Sequence, residues 1–287
     1  MTNLPPRAAR RCAHPVNLLH AAVLFSPDLD TAFDGLGVDD PSARRLAARS
    51  APMGAVGAGT VSATFYNYNH DFLARHLPAV WDAVTPATVL DARLRAADAT
   101  YRRLLGDDVV DSAELAEAAE LALRATEACT RPARPLYAAN ADLPVPDAPH
   151  LRLFHATTLL REHRGDGHLV ALMSAGLDPL EALVSHTASG KGMAPRWVLG
   201  IRGWRRDDWD AGTERLRERG IVDADGALTA AGEELRESLE TETDRLDAAP
   251  YEHLGAAGVA RLTELAKDLT VRAVGAGAFP DGLSGRG

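Results

Sequence analysis

Apolar positions recur at helical spacing over residues 8–128, and each run is punctuated at its ends as helices are. Ser26-Pro27 and Thr85-Pro86 each pair an N-cap side chain with proline at the first helical position, where a missing N–H costs nothing. Asp111, with Glu114 three residues on, reads as a capping box opening an alanine-rich helix to about Thr130. Gly106 is placed to stop the helix that starts near Pro86. Five prolines in residues 131–149 predict an extended connection over the surface. A second helical block begins at His150, and Asp178-Pro179-Leu180-Glu181 opens a helix ending near Gly190. The small-residue stretch 188–194 is the best linker.

Past that linker the pattern changes to helix, hairpin, helix. Residues 207–219 have helical spacing and Gly220 stops them; Ile221-Val222 and Ala227-Leu228 then flank the turn Asp223-Ala224-Asp225-Gly226. Asp and Gly tolerate positive φ, which marks a tight hairpin, and Thr229 opens a long helix. The predicted fold is therefore mainly α. A multi-helix part spans 1–190, and a winged-helix module (helix, β-hairpin, helix) with a C-terminal helix spans 195–287.

Residues 150–176 carry the most information. Leu151, Leu153, Phe154, Leu159, Leu160, Leu169, Val170, Leu172 and Met173 fall on every side of a helical wheel, as in a helix that is buried all round. Its middle, Arg161-Glu162-His163-Arg164-Gly165-Asp166-Gly167-His168, holds six ionisable residues in eight, costly to bury unless paired or bound. Arg161, Arg164 and His168 share one face and suit a carboxylate, phosphate or enolate oxygen; His155, Glu162 and Asp166 share another and suit proton transfer. Gly165 and Gly167 either admit a ligand to the backbone or break the helix so that Asp166 caps a new one. A solvated corner, a functional pocket and a buried structural network all fit the segment.

Composition narrows these readings. The 287 residues are 46% hydrophobic but only 5% aromatic, so the core is aliphatic, and the net charge is −9. That balance argues against a chain built mainly to lie on nucleic acid or an anionic membrane. Two cysteines, Cys12 and Cys129, are too few for a disulfide framework, and the histidine spacings fit no metal motif, so neither metal nor cofactor is expected. With no apolar run of membrane length and no secretory leader at the start, a cytoplasmic protein is expected. Phe65-Tyr66-Asn67-Tyr68-Asn69-His70 gathers aromatic rings, hydroxyls and amides, so Tyr66, Asn67 and Asn69 are candidate ligand contacts. A helix junction capped by Asn69 fits the same residues. Gly54, Gly57 and Gly59 suit helix packing through small residues rather than a dinucleotide loop.

Leu216-Arg217-Glu218-Arg219-Gly220-Ile221-Val222, followed by Leu228-Thr229-Ala230-Ala231-Gly232, resembles the recognition helix, wing and next helix of MarR-type regulators. The whole chain is similar to an actinobacterial family of helix-turn-helix proteins. Ala51-Pro52-Met53-Gly54, Thr64 to Asn69, Arg134 to Ala139, Leu159 to His168 and Gly275 to Pro280 carry that likeness. The resemblance implies a DNA-binding label but no catalytic residues. Against it, residues 200–246 hold eight arginines, no lysine and thirteen acidic residues, and Asp207, Asp208 and Asp210 sit where a recognition helix meets the groove. The leading expectation is a small-molecule-binding protein, with an enzyme acting on a small anionic or aromatic compound within that reading. Its module serves packing, dimerisation or ligand enclosure. His155, His163 and Asp166 are the candidate catalytic residues, and Arg161, Arg164 and His168 join Tyr66, Asn67 and Asn69 as ligand contacts. The partners are then a small-molecule ligand and a second copy in a homodimer, with no membrane. The alternative is a MarR-like, ligand-responsive regulator touching DNA through Arg202, Arg205 and Arg206.

Overall fold

The computed structural model describes residues 4–283. The described chain is mainly helical, and it divides into two compact units that do not follow a single cut near residue 190. The first unit takes residues up to Ala55, then Val80–Gly167 and Asp244–Pro280. The second takes Val56–Ala79, His168–Thr243 and the residues from Asp281 onward.

Within the first unit the helix Ala8–Leu24 packs along the C-terminal helix Ala248–Gly275, which also meets Ala113–Thr126. Leu19, Tyr101, Leu115, Phe154 and Leu262 are essentially sealed from solvent there. Caps form where local chemistry asks for them: Ser26 accepts from the Asp28 N–H and Thr85 from that of Thr88. Gly106, at φ 85°, closes Pro86–Leu105. The alanine-rich helix is capped one residue later than expected, by Ser112 accepting from Leu115 N–H, and ends at Thr126. Residues 131–149 are not wholly extended; Pro135–Ala141 forms a helix inside them.

The second unit is organised by the helices Pro179–Ala188, Pro195–Arg202, Arg206–Glu218 and Ala230–Leu246, the last of which passes on into the first unit. Asp178 and Glu181 make the expected capping box. Gly212 lets Leu180 lie against the Arg206–Glu218 helix, since an added Cβ would come within 3.0–3.1 Å of the leucine side chain. Trp209, Leu216, Val222 and Leu239 complete the core.

The predicted β-hairpin wing is absent: the described residues contain no β-strand, only an isolated antiparallel bridge between Val222 and Leu228. Local hydrogen bonding explains the difference. The two arms are too short for strands: they share the backbone bonds Asp223 N–H to Ala227 O at 2.8 Å and Thr229 N–H to Ile221 O at 3.0 Å, and Asp223 Oδ1 tightens the turn between them by taking the N–H groups of Asp225 and Ala227, both at 2.9 Å. Arg217 takes the carbonyls of Asp223 and Ala224. Thr229 is spent as a cap, its hydroxyl accepting from Gly232 N–H and donating to Gly220. What remains is helix, tight turn, helix.

The glycines of residues 53–59 do not mediate close helix packing either. A Cβ on Gly54, Gly57 or Gly59 would meet nothing within 4 Å; Gly54, at φ 84°, ends the turn of Ala51–Met53, Gly57 precedes the helix Ala58–Phe65, and Gly59 lies within it.

Candidate functional site

The helix Pro149–Ser174 runs unbroken through its polar insert. Gly167 is closely packed there: an added Cβ would come 2.8 Å from a terminal Arg134 nitrogen, which would have to shift, and 3.4 Å from the Leu246 Cβ. A solvated corner is therefore not what forms, and Glu162, His163 and Asp166 are buried.

In the first unit these groups bond to side chains brought from distant helices. Glu162 is gripped by Arg49 through two contacts of 3.2 Å and by Arg161. Burial opposes its ionisation, but the two guanidinium groups outweigh that and hold the carboxyl at about 2. His163 Nδ1 lies 2.6 Å from Asp247 Oδ1, with both residues about 1% exposed, while His163 Nε2 and Asp247 Oδ2 have no hydrogen-bond partner. Burial raises the Asp247 carboxyl, and the imidazole partly offsets this. Arg134 bonds the carbonyl of His163 and, at 2.6 Å, that of Leu246. Arg164 holds Asp244 at 2.9 Å.

Asp166 accepts from Tyr137 N–H, and burial, opposed by that bond, pushes its carboxyl up to about 6. His155 is 7% exposed and is pushed down to about 4 by burial and by Arg93. The structure thus unites His163 with Asp247 and Arg161 with Glu162. His155, His163 and Asp166 do not converge on one reacting position through any hydrogen bond between them.

The remaining ligand candidates lie in the second unit. His168 Nδ1 is 2.8 Å from Thr243 Oγ1. Tyr66 is at φ 62°, ψ −66°, a left-handed conformation closed by the Asn67 N–H bonding Phe65 O at 2.8 Å. Its hydroxyl donates to Leu177 O at 2.5 Å. Asn67 O accepts from Trp204 Nε1 at 3.0 Å, and Asn69 caps His70–His76 through Phe72 N–H. These bonds, with Asn69 N–H on Arg202 O, bind residues 56–79 to the helical module.

The arginines of that module are unequally engaged. The Arg202 guanidinium carbon lies 4.3 Å from the Tyr68 ring centroid. Arg215 bonds Asp178 at 2.6 Å, Arg219 bonds Glu181 at 2.7 Å, and Arg217 pairs with Glu214. Only Arg205 and Arg206 stand exposed at the start of Arg206–Glu218, Arg205 with 80% of its side chain accessible and 3.3 Å from Asp208.

A family model described as a helix-turn-helix family matches residues 9–280. The chain belongs to that helix-turn-helix family. No curated protein and no solved structure matches it significantly. The family assignment therefore extends over both units of this helix-turn-helix protein, and not only over the module. No helix among the described residues is long and apolar enough to cross a membrane.

Sequence reasoning missed Arg49, Arg93, Arg134 and Asp247. Arg93 had a readable signal, because it shares a helix face with Val89, Ala96 and Ala97, all fully buried.

Proposed function

We propose that this helix-turn-helix protein is a DNA-binding regulator that reaches phosphate through Arg205 and Arg206. The observation that carries the reading is family membership across 9–280; of the two functional readings of the sequence, it favours the regulator. The exposed arginine pair at a helix N-terminus supplies the means, since backbone N–H groups and the helix dipole there also favour an anion. Arg205 already pairs with Asp208 at the surface, the other arginines of the module that bond carboxylates, rings or carbonyls are less accessible, and Asp207 and Asp210 lie exposed beside the pair. Binding is therefore weak, with a shallow salt dependence.

The test is fluorescence anisotropy with duplexes from the gene's own upstream region, from about 50 to 200 mM salt. About two phosphate contacts per module correspond to a slope of log K on log salt of roughly −2. The joint Arg205→Ala, Arg206→Ala variant is expected to abolish the signal. Absence of binding at the lowest salt, or binding indifferent to that double substitution, overturns the reading.

A further inference from the structure

We propose that the first unit contains a binding site for a small oxyanion that also carries a hydroxyl hydrogen, a hydroxycarboxylate or a hydrogen phosphate, held between Arg93 and His20. The inference does not depend on whether the module meets DNA.

Both residues pack against one ring. The His20 imidazole stacks on Phe154, with centroids 5.8 Å apart and planes 5° from parallel, and the Arg93 guanidinium carbon lies 5.9 Å from the same centroid. His20 is 3% exposed and Arg93 6%, and each keeps one buried polar atom without a partner, His20 Nε2 and Arg93 Nε. Leaving such groups unpaired is costly, and more so for a charged one.

The two atoms ask for opposite things. The Thr158 hydroxyl donates to Phe154 O at 2.7 Å, so its oxygen receives the His20 Nδ1 hydrogen at 3.0 Å. Burial, then Arg161, push His20 down to about 3, so the ring is neutral at pH 7 and Nε2 is an acceptor lacking a donor. Arg93 Nε–H is the reverse, a donor lacking an acceptor. A ligand offering an anionic oxygen to one and an O–H to the other satisfies both.

Charge points the same way. Arg49 and Arg161 share the carboxylate of Glu162, whereas Arg93 bonds only neutral oxygens, Asn140 Oδ1 at 3.2 and 3.3 Å and Ala48 O at 3.4 Å. Glu162 favours the Arg93 charge from beyond hydrogen-bond range, but no carboxylate bonds this deeply buried guanidinium, which leaves it able to attract an anion.

The full chain is titrated with glycolate, inorganic phosphate and acetate, and read by thermal midpoint and by the ¹⁵N resonance of His20 Nε2. Glycolate, phosphate or both are expected to raise the midpoint and move the His20 signal, with acetate, which lacks the hydroxyl, at least tenfold weaker. Which of the two acts separates an organic from an inorganic ligand. Arg93→Met and His20→Phe are each expected to remove the response; if Arg93→Met does not fold, His20→Phe and the wild-type resonance decide. No response in the wild-type chain means that buried water satisfies both atoms and overturns the proposal. Acetate equal to glycolate, or a response unchanged in the folded variants, overturns it as well.

Discussion

Asp166 accepts the Tyr137 backbone N–H at 2.9 Å from a carboxyl that is only 4% exposed. Burial raises that carboxyl from 3.8 to about 6, so the folded chain holds the proton more tightly than the unfolded one. Its stabilising contribution is complete below 3.8 and is lost as pH rises through about 6. Asp166→Asn keeps an oxygen for Tyr137 and removes the charge. The variant is expected to be more stable than wild type by about 1–3 kcal/mol at pH 8 and no more stable at pH 4. Urea unfolding at the two pH values checks this, and a destabilised variant at pH 8 contradicts it.

His155 behaves in the opposite sense. Its folded value of about 4, against 6.5, means the neutral ring is favoured by folding. That stability is present above 6.5 and is lost as pH falls through about 4, an effect on the order of 3 kcal/mol. His155→Leu cannot take up the proton and should flatten the acid limb of the stability profile. A limb of unchanged steepness in denaturant titrations between these values would count against the assignment.

His163 and Asp247 form a buried pair whose members depend on each other. His163→Leu strands the Asp247 carboxyl in the interior and is expected to cost about 3–5 kcal/mol. Replacing both by leucine should recover much of that loss, because the pair's desolvation is then relieved. A double-mutant cycle measures the coupling; additive single and double losses would show that the two side chains act independently.

Gly232 sits against backbone rather than a movable side chain. An added Cβ would overlap the Ile221 carbonyl oxygen. Gly220, by contrast, is at φ 69° with open space around it. Gly232→Ala is expected to cost about 3 kcal/mol, against about 1–2 kcal/mol for Gly220→Ala. Thermal unfolding of the two variants gives the order directly, and the reverse order would refute it.

What could be read in the sequence was what neighbouring residues decide among themselves. Ser26, Thr85, Asn69 and Asp178 cap helices as expected because each partner lies two or three positions away. The wing failed on an equally local matter, arms so short that they close in one bridge, between Val222 and Leu228, around the Asp223 turn. The polar insert was recognised as unusual, yet its partners could not be named. Arg49, Arg134 and Asp247 stand 113, 29 and 84 positions from the groups they bond, and no periodicity links them. Its glycines suited either a ligand's approach or a helix break, whereas the helix is continuous and Gly167 lies close to Arg134 and Leu246.

The helix Ala8–Leu24 rests along Ala248–Gly275, and Thr270 Oγ1 donates to Pro15 O at 3.2 Å. A ribosome adding about 5–20 residues per second emits the first of these helices tens of seconds before the second. Through that interval the helix of Val16, Leu19 and Val23 can meet Pro86–Leu105, whose Tyr101 hydroxyl bonds Leu19 O, but not its most extensive partner, so the first unit closes only after its last helix is made. The contact that completes the first unit thus joins its earliest-made helix to its latest-made one, and loss of Ala248–Gly275 would leave both Ala8–Leu24 and Ala113–Thr126 without a partner they share.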